Sequence, residues 1–361
     1  MNIQPLNLKI PQPIFRYQGN TIYQPQHKDT NLSPLTKDTV SFGIGEKHLD
    51  KGAKSVTHDL AMRVVDEAQG DAQDLKYILK KILSPYVASA QNPDKPILSG
   101  DRGIHVRVKS ADSLRDKLTA RSITTLYGAK NVGDIIGGRI VLRSASSKDV
   151  DSILKAIEKA HTQGALNIYE IEKWIPKAGK MYAQTRDLGY GTSKGLAELE
   201  NATGLVSSVA PQESGYPAIH IGIKTKNGFK AEIQIMGVDV EDLKEVEDLC
   251  YKIRCGKPIP TIYKSMEKIL QPAFEELETK KLEGHYMDYV NDSYLNAFNY
   301  PVQNFNTRKK APFLPIPYFL PQVLDFTNIA REMEKCKYEA SVIEQSTNKT
   351  NKTNKKAPKG K

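Results

Sequence analysis

One stretch constrains this chain more than any other: DIIGGRIVLR, Asp134–Arg143. A short apolar run of Ile and Val bounded by turn-forming residues is the pattern of a strand buried on both faces. We expect that strand over Val132–Leu142, entered through the lone carboxylate of Asp134. Just upstream, Ile104–Lys109 alternates like a strand, and Ser110 is a good N-cap for a helix over Asp112–Arg121. Downstream, Lys148–His161 carries Val150, Ile153, Leu154 and Ile157 at helical spacing, and Ile168–Ile175 alternates again. Strand, helix, strand, helix, strand outlines an α/β sheet with helices on its faces.

Ala218–Lys224 and Phe229–Ile235 alternate around Asn227-Gly228, a two-residue hairpin signal. An antiparallel hairpin makes the sheet mixed. The expected fold is therefore α/β (α+β): a mixed sheet of about five strands flanked by helices, with extra helices at both ends. The N-terminal helices are Ser55–Ala68 and Asp71–Leu83, separated by Gly70; those after the sheet are Val240–Ile253, Thr261–Lys281, Asp288–Phe298 and Gln322–Gln345. Residues 178–212 interrupt the rhythm with five glycines among polar residues and one short helical run near Lys194–Glu200, and are expected to form an insertion loop. The organisation expected is a disordered arm (1–47), N-terminal helices (48–98), a central catalytic-type domain (99–260), a helical extension (261–345) and a disordered Lys/Asn/Thr tail (346–361).

The 361 residues carry a net charge of +10, but the tail Thr347–Lys361 supplies six lysines and no acid, leaving +4 for the rest. Global charge is thus a weak argument for nucleic acid; a local basic cleft is needed. Cys250, Cys255 and Cys336 do not make a disulfide framework, and Cys250 and Cys255, which lack a partner pair at metal-binding spacing, are expected as small buried apolar residues. No apolar run spans a bilayer, and the proline-broken start MNIQPLNLKIPQPIF has no signal core, so no membrane partner and a cytoplasmic location are expected. His58-Asp59 suggests a metal-dependent phosphohydrolase, but no second histidine pair follows; a surface histidine at a helix start is the better reading.

The residues fit for chemistry cluster around the buried strand. Arg107 and Lys109, two apart on a strand, emerge from one face roughly 7 Å apart. Ser113 and Lys117 lie one helical turn apart, with Arg121 a further turn on. Ser113 falls in the first turn, where free N–H groups favour phosphate. Several cations and a hydroxyl around one place suit phosphoryl-type chemistry, which is largely positioning and electrostatics; a solvated basic helix face fits the spacing equally well. Asp134 at the head of an apolar strand needs a partner, either a magnesium ion or Arg139. Glu232 is a second acid among alternating apolar residues, sharing a face with Gln234. Tyr216 offers an aromatic platform for a base, with His220 four residues on.

Taken in order, Arg107-x-Lys109, Ser113, Lys117, DIIGGRI, a Trp-Ile-Pro-Lys strand end, GY-x-x-x-His and EIQI resemble the RelA/SpoT synthetase domain over about residues 75–258. The resemblance implies a nucleotidyltransferase-like fold and transfer of pyrophosphate from ATP to the 3′-hydroxyl of GDP or GTP, with Mg²⁺ as cofactor. By position it gives the ATP phosphates and adenosine to Arg107, Lys109, Ser113 and Lys117, with Arg139 either contacting phosphate or pairing with an acid. Asp134 and Glu232 would hold magnesium, and Glu232 is also a candidate for activating the 3′-hydroxyl. Tyr216 would stack on the acceptor guanine, His220 and Gln234 would place the acceptor, and Lys177 would meet its phosphates. The pattern departs from type at Pro217-Ala218, where Arg-Ser is usual, and at Met236-Gly237, where Arg-Thr is usual. Donor binding is thus better supported than acceptor identity.

The favoured reading is a stand-alone small synthetase using ATP and GDP/GTP. The alternatives are transfer to an adenine nucleotide or a tRNA 3′ end, as in toxic relatives, and a non-catalytic nucleotide- or RNA-binding module. The two magnesium carboxylates speak against the module. A homo-oligomer is left open.

Overall fold

A computed structural model describes residues 58–87, 97–143, 146–176, 194–212, 214–299 and 313–354. The expected arm, 1–47, lies outside them, as do Lys177 and residues 178–193.

Six strands form one mixed sheet: β1 (Ile104–Val108), β2 (Ile136–Leu142), β3 (Ile168–Pro176), β4 (Ser208–Gln212), β5 (Ala218–Lys224) and β6 (Lys230–Gly237), in the order β1-β2-β6-β5-β3-β4. β2 runs parallel to β6 and β3 parallel to β4; the other pairs are antiparallel. The sixth strand, β4, lies within the stretch expected to be an insertion loop. That stretch also holds the helix α5 (Lys194–Thr203). SVAPQ carries little strand pattern of its own and forms by pairing with the preformed edge of β3.

On one face of the sheet, isoleucines of β2, β5 and β6 meet four helices: α1 (His58–Leu83), α2 (Ala111–Ala120), α4 (Ser147–Thr162) and α5; α3 (Leu126–Lys130) closes the edge. Ser110 caps α2 as expected, its hydroxyl accepting the Ser113 N–H at 3.4 Å. That amide is therefore not free for a phosphate. The β5–β6 connection is a five-residue turn, Thr225–Phe229, in place of a two-residue one, with Gly228 at φ +85°. The buried Asp71 carboxylate of α1 accepts Thr225 Oγ1 at 2.5 Å and Asn227 Nδ2 at 2.8 Å, pinning helix to turn.

A second core lies beyond the carboxyl ends of β5's neighbours. It gathers Tyr216, Ala218 and Met236 with α6 (Val238–Arg254), α7 (Lys264–Lys280), α8 (Glu283–Asn299) and α9 (Phe326–Asn354). The backbone of α9 continues through residues 346–354, which were expected to be disordered. Cys250 is buried as expected and Cys336 is buried too, whereas Cys255, expected to be buried, follows the end of α6 and is exposed. No helix among the described residues is long and apolar enough to cross a membrane.

Gly70 does not separate two helices. α1 is continuous from His58 to Leu83, and its buried Ala61, Val64, Ala68, Ala72, Leu75 and Leu79 form one stripe across residue 70. Tertiary packing of that stripe outweighs the glycine's poor helix propensity. A Cβ at residue 70 would meet nothing within 4 Å. Gly70→Ala should therefore raise the urea midpoint at unchanged m-value, stabilising the fold by roughly 0.5–1 kcal/mol. Were residue 70 a left-handed helix terminator, alanine would destabilise it instead.

Candidate active site

Side chains alternate along each strand, so the register across the sheet fixes which residues share the face opposite the isoleucine core. One row runs Arg107, Gly137, Glu232, Gly222, Glu170, and the next runs His105, Arg139, Gln234, His220, Glu172. Polar and charged residues at every non-glycine position of two adjacent rows mark a cleft floor. Gly137 is its open centre, since a Cβ there would meet nothing within 4 Å. The space over Gly222 is filled, because a Cβ there would come within 2.7 Å of Tyr169 Cζ.

At one end of the floor, Asp134 precedes β2 in a turn, at φ +67°. This left-handed conformation is tolerated by Asp better than by most residues. It brings the carboxylate between two ammonium groups, with Lys109 Nζ at 2.8 Å and Lys117 Nζ at 2.7 Å. Two cations on one carboxylate leave a net positive charge. Arg107 adds an exposed guanidinium with no ion pair among the described residues. Ser113 is exposed on the first turn of the same helix. Arg107, Lys109, Ser113 and Lys117 are therefore borne by two neighbouring elements, and this end suits an anion.

Asp134 does not pair with Arg139. Arg139 reaches Glu241 of α6 at 3.3 Å, and Glu241 also takes Arg102, which bonds Asp242 at 2.7 Å. A carboxylate as buried as Glu241, with 4% of its side chain exposed, needs such partners.

On the other side of Gly137, burial alone would raise the Glu232 carboxyl. The neighbouring His220 ring, the hydrogen bond from Gln234 and the nearby Lys244 outweigh that and hold it at about 2. Gln234 Nε2 donates to Oε1 at 2.6 Å, and His220 Nδ1 lies 3.4 Å away. His220 is buried and stacked on Trp174, centroids 4.2 Å apart, while the Trp174 indole donates to Glu172. A carboxylate ionised this firmly attracts a cation or accepts a hydroxyl's hydrogen bond, but retains an abstracted proton poorly.

Tyr216 does not present its ring to a base in this conformation. It is 3% exposed, edge-on to Trp174 and Tyr294, and its face is covered by Lys244 Nζ at 4.1 Å from the centroid. The cause lies one residue earlier. Gly215 takes φ +78° against α8, where a Cβ would come 2.3 Å from Asn291 Oδ1, and so the backbone turns Tyr216 into the second core. Lys177, the other acceptor candidate, lies outside the described residues.

Arg102, Glu241, Lys244, Trp174 and Glu172 also line this face, and the sequence reading missed their roles. Trp174 and Glu172 alternate with the core residues of β3, a signal that could have found them. Lys244 and Glu241 lie three apart on a helix that looks merely amphipathic until its packing is known.

Among the described residues, no group of three or more His, Cys, Asp or Glu side chains could hold a metal ion. Asp134 and Glu232 nevertheless supply hard oxygen donors on either side of the open floor, the donor type Mg²⁺ takes when substrate phosphates complete its shell. Each carboxylate already has cationic or hydrogen-bonding neighbours, so the pair fits an ion carried in by a polyphosphate better than a resident one.

Residues 106–254, from β1 to the end of α6, match the family model described as a region found in RelA/SpoT proteins. This is a RelA/SpoT-type synthetase domain. The domain type places the chain among transferases. Similar solved structures include small alarmone synthetase 1 from Bacillus subtilis bound to pppGpp, at 19% identity, covering 63% of this chain and 95% of that one, TM-score 0.35. Another is small alarmone synthetase 2 from Bacillus subtilis, at 22% identity, covering 64% and 97%, TM-score 0.33. A third is a GTP pyrophosphokinase family protein from Streptococcus pneumoniae, at 20% identity, covering 64% and 94%, TM-score 0.32. No curated protein matches the sequence.

Glu232 also has a consequence for stability. Its folded value lies below the ordinary 4.5, so its contribution is complete above pH 4.5 and is lost as pH falls from there towards about 2. Denaturant midpoints measured through that window should fall less steeply for Glu232→Gln than for the parent. Superimposable profiles would mean that Glu232 is not held ionised by its neighbours.

Proposed function

We propose that the RelA/SpoT-type domain transfers pyrophosphate from ATP to the 3′-hydroxyl of GDP or GTP. The observation carrying this reading is the charge layout across Gly137: a carboxylate between two lysines at one end, and an ionised glutamate on the same face at the other. In this reading Arg107, Lys109, Ser113 and Lys117 take the ATP phosphates and adenosine. The excess positive charge at Asp134 stabilises the charge that spreads over the transferred phosphoryl oxygens. Arg139, already engaged by Glu241, contributes field more than contact.

The acceptor's 3′-oxygen forms a bond to the β-phosphorus. The bond from that phosphorus to the α–β bridging oxygen breaks, and AMP leaves with the electron pair. Glu232 accepts the hydroxyl's hydrogen bond and orients it, and the proton passes on to water because a carboxyl held at about 2 does not keep it. Asp134 and Glu232 would hold Mg²⁺ arriving with ATP, which supplies neutralisation of phosphate charge. Gln234 places the acceptor beside Glu232, with the buried His220 acting through Glu232, and the acceptor's phosphates are assigned to Lys177. Tyr216 serves as a wall of the acceptor half and not as a stacking platform.

The test is label transfer from γ-labelled ATP with magnesium and, separately, GDP, GTP, AMP, ADP or tRNA. Label on a guanine nucleotide supports this reading, and label on an adenine nucleotide or tRNA replaces the acceptor. ATP binding without transfer to any acceptor makes the domain a binding module. Asp134→Asn and Glu232→Gln should each lower transfer at least ~100-fold, the order expected for losing a group aimed at transition-state charge. Near-parental activity in either variant removes that residue from the site.

A further inference from the structure

Lys244 of α6 is a cation in the cleft wall without a counter-ion in contact. Its ammonium lies over the Tyr216 ring, 4.1 Å from the centroid, and makes no ion pair or hydrogen bond among the described residues. Several acids of α6 are engaged with other cations. Glu241 holds Arg102 and Arg139, Glu245 holds Lys337 at 3.1 Å, and Asp248 holds Lys252 at 2.6 Å. Glu247, one turn on, stays beyond ion-pair distance and is itself pushed towards neutrality by burial. The charges facing Lys244 from the sheet are Arg139, which repels it, and Glu232, which attracts it but already has His220 and Gln234 as partners.

Burial accordingly pushes the Lys244 ammonium down from its ordinary range. A partly buried ammonium beside a second cation is unfavourable until an anion arrives. The groups around Lys244 show what this wall lacks. Met236, at the end of β6, meets the Tyr216 hydroxyl through its Sδ at 3.6 Å. β6 therefore brings no cation to this wall, and α6 brings one.

We propose that Lys244 binds the 5′-terminal phosphate of the acceptor, so that the cleft selects a free nucleoside di- or triphosphate over a monophosphate or a nucleoside. This rests on the reading of the cleft as a two-nucleotide site. An ammonium supplies three donors and a compact charge, which suits phosphate without demanding a fixed fork geometry.

The test is calorimetric binding with the donor side saturated by a non-hydrolysable ATP analogue. The probes are guanosine, GMP and GDP, and in parallel adenosine, AMP and ADP. The parent should prefer the diphosphate over the monophosphate of one series. Lys244→Gln should reduce that preference by about 10- to 100-fold, as expected for losing a charge-assisted hydrogen bond. Lys244→Arg should retain it, and the ATP analogue should bind all three proteins alike. A preference unchanged in Lys244→Gln overturns the assignment while leaving the two-nucleotide reading intact. Failure of the parent to bind either diphosphate overturns both.

A second measurement needs no variant. Reductive methylation of Lys244 in the parent should slow with the preferred diphosphate and not with its nucleoside. Equal rates with both overturn the assignment.

Discussion

The parallel pairing of β2 with β6 is the constraint on which the rest depends. Its register sets Gly137 opposite Glu232 and Arg139 opposite Gln234, and through β1 and β5 it lines up both rows of the cleft floor. Side chains alternate with a period of two, so a slip of one residue would turn Glu232 into the isoleucine core and an isoleucine onto the floor. Ile136, Ile140, Ile233 and Ile235, all fully buried beneath α1, α2 and α4, resist that slip. The apolar face thus fixes the geometry of the polar one.

On that floor charge is distributed unevenly. The Asp134 end has more cations than anions, the Glu232 end balances an ionised carboxylate against a histidine and an amide, and an open glycine separates them. Such a gradient favours an extended anion lying from the first end towards the second. The left-handed backbone at Asp134 belongs to the same arrangement. Strain of this kind persists where surrounding structure enforces it, here the Lys109 N–H bond to the Ile135 carbonyl and the two lysine contacts.

Much of the fold was legible because its signals are local. Alternation marked β1, β3, β5 and β6, helical spacing marked α2, α4 and α6, and Ser110 announced its cap. The cluster of Arg107, Lys109, Ser113 and Lys117 was legible for the same reason, since one strand and the next helix carry it all. What could not be read depended on partners distant in sequence. β4 needs β3 to exist as a strand, Gly70 is carried through α1 by packing on both sides, and Arg139 found its acid on α6 and not at Asp134. Tyr216 looked like an exposed platform because the residues that bury it, Tyr294 above all, come some way further along the chain.

That last case bears on how the cleft is divided. The half bearing Asp134 takes Arg107, Lys109, Ser113, Lys117 and Asp134 itself from residues 106–254. The wall behind Tyr216 is built with α8, which lies beyond that range, through Tyr294 against the tyrosine ring and Asn291 against Gly215. α8 in turn is fixed by α9: the Tyr289 hydroxyl accepts the Phe326 N–H at 3.0 Å, and their rings pack 4.8 Å apart. The position of the Tyr216 ring, and with it that of the ammonium resting on its face, therefore depends on a helical layer outside the matched domain. A change in α8 or α9 that shifts Tyr294 moves this wall while leaving Lys109, Lys117 and Asp134 where they are, so the two halves of the cleft can vary separately.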